Sequence, residues 1–206
     1  MKRTRKKALL VAAPLVLLAV ALCWWFVRDT SEGKERIAFP GSVCGGVLKG
    51  SDVASLLPAE GEAFSDSRKS FGKSGNAETC SFSAGGREVE LKLYYYLPSP
   101  SAAKRAENDT DWSTGHERVS IKLGDSSGYM GDHFAKLYMN CTSLLGEKSV
   151  IGVWANYYGE AAESVPPGKR AHFGDVAANA LRYVSGHEGQ ACKEAASLPQ
   201  GPPIKS

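Results

Sequence analysis

Residues 8–27, ALLVAAPLVLLAVALCWWFV, form an apolar run with no charge and one proline, Pro14. Few structures accept such a run. About 20 apolar residues make a helix that crosses the roughly 30 Å hydrocarbon core of a bilayer. The preceding MKRTRKK holds Lys2, Arg3, Arg5, Lys6 and Lys7, and Arg28 follows the run. Basic residues gather on the cytoplasmic side of a membrane helix. The expected plan is a basic cytoplasmic tail at 1–7, a single-pass signal-anchor at 8–27 in the plasma membrane, and all later residues outside. Trp24 and Trp25 suit the membrane–water interface, where indole rings collect.

Two other fates of this run compete. Ala19-Val20-Ala21 has the small-x-small form of a signal-peptidase site, so cleavage after Ala21 is one. The apolar run continues from Leu22 to Val27, however, instead of ending at that site. The second is lipid attachment at Cys23, which requires a small residue before the cysteine where Leu22 stands. The anchor is the reading that uses the whole run.

The anchor changes how the charge is read. The chain is +3, but residues 1–28 contribute six cations and no acid, so the remainder holds −3. The basic balance therefore belongs to the tail, where it sets topology and meets anionic headgroups. It gives no reason to expect nucleic acid as a partner.

Four of the five cysteines lie beyond the run: Cys44, Cys80, Cys141 and Cys192. In an oxidising compartment an even number reads as two disulfides, with three possible connectivities. No C-x-x-C spacing points to a zinc ribbon or a redox site. Pairing Cys44 with Cys80 and Cys141 with Cys192 staples each element to a chain neighbour and is preferred, with the nested pairing still open.

Residues 28–43 read as a linker, 44–194 as one domain and 195–206, with three prolines, as a disordered tail. Within the domain, Ser51-Asp52 is placed to cap a short helix, and residues 59–76 read as a mobile loop. Residues 87–97 alternate, with Val89, Leu91, Leu93 and Tyr95 on one face and Glu88, Glu90, Lys92, Tyr94 and Tyr96 on the other. That is a half-buried antiparallel strand, and Gly85-Gly86 before it fits a hairpin turn. Residues 101–108 suit a short helix, 118–123 and 134–141 are further strands, and 124–128 reads as a turn. Residues 149–158, SVIGVWANYY, are apolar on both faces and predict a central strand covered on both sides. Phe173, Val176, Ala177, Ala180, Leu181 and Val184 recur at helical spacing, while Lys169 and Arg170 lie outside that stripe and should tolerate alanine. The expected fold is α+β: a mainly antiparallel sheet with one long C-terminal helix on a face.

The opening VCGGVLKGSDVASLLP, followed by CSFSAGGREVELKLYYY, resembles small exported envelope proteins of actinomycetes such as streptomycetes. More loosely it resembles their lipoproteins with a Cys–helix–Cys-strand start. The resemblance covers the layout from Cys44 to Cys192; it implies an envelope protein and points to no active site.

No H-E-x-x-H, G-x-S-x-G or S-x-x-K motif is present, and neither a cofactor nor a metal is called for. His116, His133, His172 and His187 fall in different elements. Asp109 and Asp111 lack the further oxygen ligands of a calcium loop. Aromatics are the stronger signal. Tyr94 and Tyr96 share a strand face, and Trp112, Trp154, Tyr157 and Tyr158 are further candidates for exposure; Tyr94, Tyr96 and Trp112 make the expected interaction surface. The competing reading buries the tyrosines as core. The expectation is a membrane-anchored, non-enzymatic, extracytoplasmic binding module whose partner is an envelope protein or a cell-wall glycan. The alternative is a small envelope hydrolase with a Ser/His/Asp site assembled without a motif, around His133 or His172.

Overall fold

Alternating side chains need a sheet with two different faces, and β5 (Arg87–Tyr96) supplies the pattern: Val89, Leu91 and Leu93 are fully buried while their neighbours are half-buried. The computed structural model describes residues 35–67, 77–96, 101–108, 118–158, 168–187 and 191–206. The chain divides into two compact units, Met1–Glu35 and Arg36–Ser206. The expected membrane segment at 8–27, the tail at 1–7, Trp112 and His116 lie outside the described residues. No helix among the described residues is long and apolar enough to cross a membrane.

The second unit is α+β. A two-stranded ribbon of β1 (Ser42–Val43) and β2 (Leu48–Lys49) leads into α1 (Gly50–Ala54). The main sheet adds β3 (Ser65–Asp66), β4 (Ala77–Ala84), β6 (Val119–Leu123), β7 (Ser126–Met130), β8 (Phe134–Thr142), β9 (Lys148–Tyr157) and β10 (Ile204–Lys205). Its order is β10-β6-β7-β8-β9-β5-β4-β3, antiparallel throughout. The short helix α2 (Ala102–Asn108) and the long helix α3 (Arg170–Gly186) complete it. Strand β9 lies between β8 and β5 and is buried from Val150 to Tyr157, the central position its apolar sequence predicts.

Helix α3 packs on β8 and β9. Its whole stripe, Phe173, Val176, Ala177, Ala180, Leu181 and Val184, has no exposed surface. The Phe173 ring meets Tyr157 edge-on at 5.1 Å, and the Tyr157 hydroxyl donates to the Leu56 carbonyl behind α1. Burial raises the Tyr157 pKa above its ordinary value, against the pull of Arg87. Disulfides join Cys44 to Cys80 and Cys141 to Cys192, the neighbour-to-neighbour pairing, across sequence separations of 36 and 51. Loop closure of that size contributes about 3–4 kcal/mol each in the chain-entropy account.

The domain is longer than its sequence suggests at both ends. Residues 36–43, read as linker, belong to it: Arg36 bridges Glu60, the Ile37 N–H donates to the Ala59 carbonyl at 2.8 Å, and Val43 is fully buried. The expected disordered tail at 195–206 is ordered. Leu198 is buried, β10 closes the β6 edge, and Arg182 Nε donates to the Pro199 carbonyl at 2.9 Å while its Nη2 reaches the Gly201 carbonyl. Proline lacks a ladder donor, so a proline-rich segment suits a sheet edge. Glu194 fastens the same segment to β8. Burial alone would raise its carboxyl, but the Thr142 hydroxyl (2.6 Å) and backbone N–H (2.8 Å) donate to it and hold it below its ordinary value.

Four local expectations are corrected. The turn expected over 124–128 is only Gly124-Asp125, and the rest is β7. Ser126, Ser127 and Gly128 carry little strand propensity, but β7 passes so close to β8 that a Cβ at Gly128 would stand 2.0 Å from the Lys136 carbonyl oxygen. Within the expected loop at 59–76, β3 pairs with β4, and Asp66 accepts the Cys44 N–H at 3.1 Å. At α1, Asp52 caps from inside the helix by accepting the Lys49 N–H at 3.2 Å. Lys169 and Arg170 are also engaged: Lys169 Nζ donates to the Ser55 carbonyl, and Arg170 Nη2 meets Asp132 at 2.9 Å. They are therefore unsuitable as neutral surface positions.

Leu181→Ala should cost about 2–5 kcal/mol, as large-to-small changes in packed cores do. Exposed Lys104→Ala should change stability by no more than about 0.5 kcal/mol. Urea melts of the two variants measure the contrast, and equal midpoints would mean that α3 does not hold the sheet.

Candidate functional site

The sheet face away from α3 has its own chemistry. Here β9 presents Val150, Gly152, Trp154 and Asn156, and strand register sets their neighbours. Tyr129 of β7, Lys136 of β8, Trp154 of β9 and Lys92 of β5 are successive Cα partners and form one row across four strands. Lys136 Nζ lies 4.3 Å from the Trp154 ring centroid and 5.9 Å from that of Tyr129. Lys92 Nζ lies 5.1 Å from Trp154, and Arg118 Cζ lies 5.2 Å from Tyr129. Cations and rings therefore alternate along the row. Each contact contributes about 0.5–2 kcal/mol, more as water is excluded. Lys136 is only 6% exposed, so its ammonium depends on these rings to offset part of its desolvation. Lys92 also pairs with Glu90 at 2.7 Å, and Glu90 is the Cα partner of Asn156.

A parallel row carries the tyrosines: Tyr94, Gly152, Tyr138 and Ser127 are successive Cα partners. The Tyr94 and Tyr96 rings stack at 6.0 Å and 19° between planes, and Tyr138 tilts against Tyr96 at 6.2 Å. Arg105 of α2 lies over the Tyr96 ring at 3.7 Å. Gly152 leaves the space for this group, since a Cβ there would stand 2.9 Å from Tyr138 and 3.1 Å from Tyr96. Helix α2 packs on β7 and β8, and its Ala102 N–H donates to Asn140 Oδ1 at 2.8 Å. Ala102, Tyr129, Phe134, Tyr138 and Val150 form a second, smaller core beneath it, with Tyr96 at its margin.

Of the expected interaction surface, Tyr94 and Tyr96 are half-buried side by side, between the open and core readings, and Trp112 lies outside the described residues. Trp154 and Tyr157, candidates for exposure, are buried at 6% and 2%. Trp154 holds the cation row, and Tyr157 faces α3. Tyr158 is 57% exposed. Tyr138, Lys136 and Lys92 join the site although their sequence pattern marks them only as strand residues.

The described histidines stay apart. His133 is buried, edge-on to Phe134 at 5.4 Å; His172 belongs to the first turn of α3; His187, beyond its end, stacks on Tyr183 at 4.8 Å. Asp132, beside His133 in sequence, is engaged by Arg170. Burial raises the pKa of Asp175 above its ordinary value, opposed by nearby His172. Among the described residues no three His, Cys, Asp or Glu side chains come together to hold a metal ion.

Open cavities lie beside the sheet. A groove of about 1060 Å³ lies between residues 38–42 and β3, with the rings of Phe39 and Phe64 edge-on at 5.6 Å. Its one carboxylate, Asp66, already accepts the Cys44 N–H. A smaller cavity of about 320 Å³ lies between α2 and the β6–β7 hairpin, on the cation–aromatic face. No protein-family model, curated protein or solved structure matches this chain.

Gly152→Ala should destabilise the protein by about 1–3 kcal/mol, as overpacking does, although alanine is otherwise a better strand residue than glycine. The near-UV circular dichroism of the tyrosines should change with it. A variant with an unchanged spectrum and melting temperature would show that the Tyr96 and Tyr138 rings give way freely.

Proposed function

We propose that this protein is a non-enzymatic binding module outside the plasma membrane, held there by residues 8–27, and that its tyrosine surface receives a cell-wall glycan. The observation that carries the reading is the half-buried pair Tyr94 and Tyr96, stacked on one sheet face, with Arg105 over Tyr96 and the buried Tyr138 supporting it from beneath α2. Flat rings with a hydroxyl edge offer apolar contact to the C–H face of a sugar and hydrogen bonds to its rim. A rigid sheet holds such rings in place, so little conformational entropy is lost on binding. The two disulfides support an oxidising compartment. The uncharged run with its basic N-terminal flank supports attachment with the N-terminus in the cytoplasm.

The topology is tested by a reporter fused after Ser206, which should be active only outside the cytoplasm. Activity of a cytoplasm-only reporter there would sink the arrangement. A mature N-terminus at Leu22 in mass spectrometry would replace the anchor with a cleaved signal peptide.

Binding is tested with soluble muropeptides titrated against the full chain, followed by tyrosine fluorescence and by amide shifts in β5 and β8. Saturable changes should centre on Tyr94 and Tyr96, and Tyr94→Ala should weaken binding about tenfold, the loss of one stacked ring. Binding that Tyr94→Ala leaves unchanged, or release of a cleaved muropeptide product, would overturn the reading.

A further inference from the structure

We propose that the turn joining β8 to β9 seats Leu144 and Leu145 in the surface of the lipid bilayer, a second membrane contact besides residues 8–27. The inference rests on the membrane attachment proposed above and adds an orientation to it. Leu144 is 74% exposed and Leu145 92%, the two most exposed large apolar side chains among the described residues. Turn positions ordinarily take small or polar residues. Nothing in this turn needs leucine: the Gly146 N–H donates to the Ser143 carbonyl at 2.9 Å, the Ser143 N–H to the Glu147 carbonyl at 2.8 Å, and Gly146 takes the positive φ, 89°, that closes it. The leucines are also held away from the core. The base of the turn is fixed by the Cys141–Cys192 disulfide and by Glu194, which accepts the Thr142 N–H and hydroxyl. Two leucines thus stand in water on a rigid support.

A convex apolar tip suits a fluid apolar phase, which needs no matching shape. The flanks agree with a bilayer. Lys148 and Lys193 are exposed beside the tip, Lys193 following Cys192, which bridges Ser143. With Glu147 between them they leave a cationic rim, and long cationic side chains at that depth meet anionic headgroups. The chain ahead of the folded unit supplies the membrane. Its apolar run ends at Val27, and residues 28–35 separate it from Arg36. Those eight residues extend no further than about 29 Å. Two leucines alone bind a membrane weakly, but a tether makes the contact intramolecular and raises its effective concentration. The same length sets the orientation. Arg36 bridges Glu60 beside the β4–β5 turn, where the Gly85 N–H donates to the Glu62 carbonyl. The leucines lie at the other end of the strands, where Tyr96 pairs with Val150. Strand β9 alone, with ten residues, is about 33 Å long. A seated tip under upright strands would put Arg36 beyond the reach of the tether, so the strands lean toward the membrane surface.

The test places the full chain in vesicles of phosphatidylglycerol and phosphatidylethanolamine. Cys23→Ser removes the thiol outside the disulfides, and a nitroxide is attached at Leu145→Cys or, for comparison, at Lys104→Cys on α2. Hydrocarbon excludes a water-soluble nickel complex, so that complex should collide with the label at 145 about tenfold less often than with the label at 104. Adding Leu144→Ser should return the label at 145 toward water without moving the melting midpoint, because Leu144 is exposed. If the chain floats with the vesicles on a density gradient and nickel reaches both labels equally, this inference falls and attachment through residues 8–27 stands. A label at 145 that stays in water in pure lipid, yet is immobilised in native membranes, would assign the tip to a protein partner and overturn the lipid assignment. A chain that does not float would overturn the attachment and this inference together.

Discussion

One long helix can cover only one face of an eight-stranded sheet, and this asymmetry governs the molecule. Strand β9 is buried on both faces, so each face needs its own cover. On the first, α3 brings a stripe of aliphatic and aromatic side chains with no exposed surface. Each large apolar side chain buried there stabilises by about 1.5–3 kcal/mol relative to exposure. On the second, the seven-residue α2 covers less, and the strands finish the surface with Lys92, Lys136, Trp154 and Tyr129. Cation–ring contacts there contribute about 0.5–2 kcal/mol each, in addition to the burial of the rings themselves. The residues of this face are nonetheless closely packed: Tyr129, Tyr138, Lys136 and Trp154 are all buried.

What the sequence discloses follows from the strength of its periods. Strand β5 alternates over ten residues, and the α3 stripe recurs over about three turns; patterns of that length overrule local propensity. Strand β9 is legible for the opposite reason, being apolar on both faces from Val150 to Ala155 and thus suited to the sheet centre. The pieces missed are those that partners create. Strand β7 reads as a turn in Ser126, Ser127 and Gly128, and it exists because β6 and β8 supply a ladder on both sides. Strands β3 and β10 are two residues each, below any periodic signal. The tail is fixed by Arg182, a helix residue far from it in sequence, and no local pattern announces such a bond.

The candidate site divides along the same line. Tyr94 and Tyr96 are two apart on one strand, so their common face is visible in the sequence. Their partner Tyr138 is on β8 and meets them only across Gly152 of β9. The cation row is hidden more completely. Lys92 and Lys136 occupy the alternate positions where a half-buried strand ordinarily meets water, and Trp154 sits in a run that reads as core. Only the register of four strands makes Tyr129, Lys136, Trp154 and Lys92 neighbours, and register is a property of the assembled sheet.

That arrangement also separates local charge from net charge. Residues 29–206 hold −3, so composition alone would make the exterior domain repel acids. The face opposite α3 nonetheless gathers Lys92, Arg105, Arg118, Lys122 and Lys136. How a cation is stabilised then matters. A carboxylate partner cancels its charge at a distance, whereas an aromatic ring lowers its energy through a quadrupole and leaves the charge in place. Arg118, Lys136 and Arg105 each lie over a ring, Lys92 pairs with Glu90, and Glu107 lines the cavity with Arg118, so cations, rings and carboxylates share this face. Charge on such a face is arranged by strand register, side chain against side chain, and the net charge of the domain does not describe it.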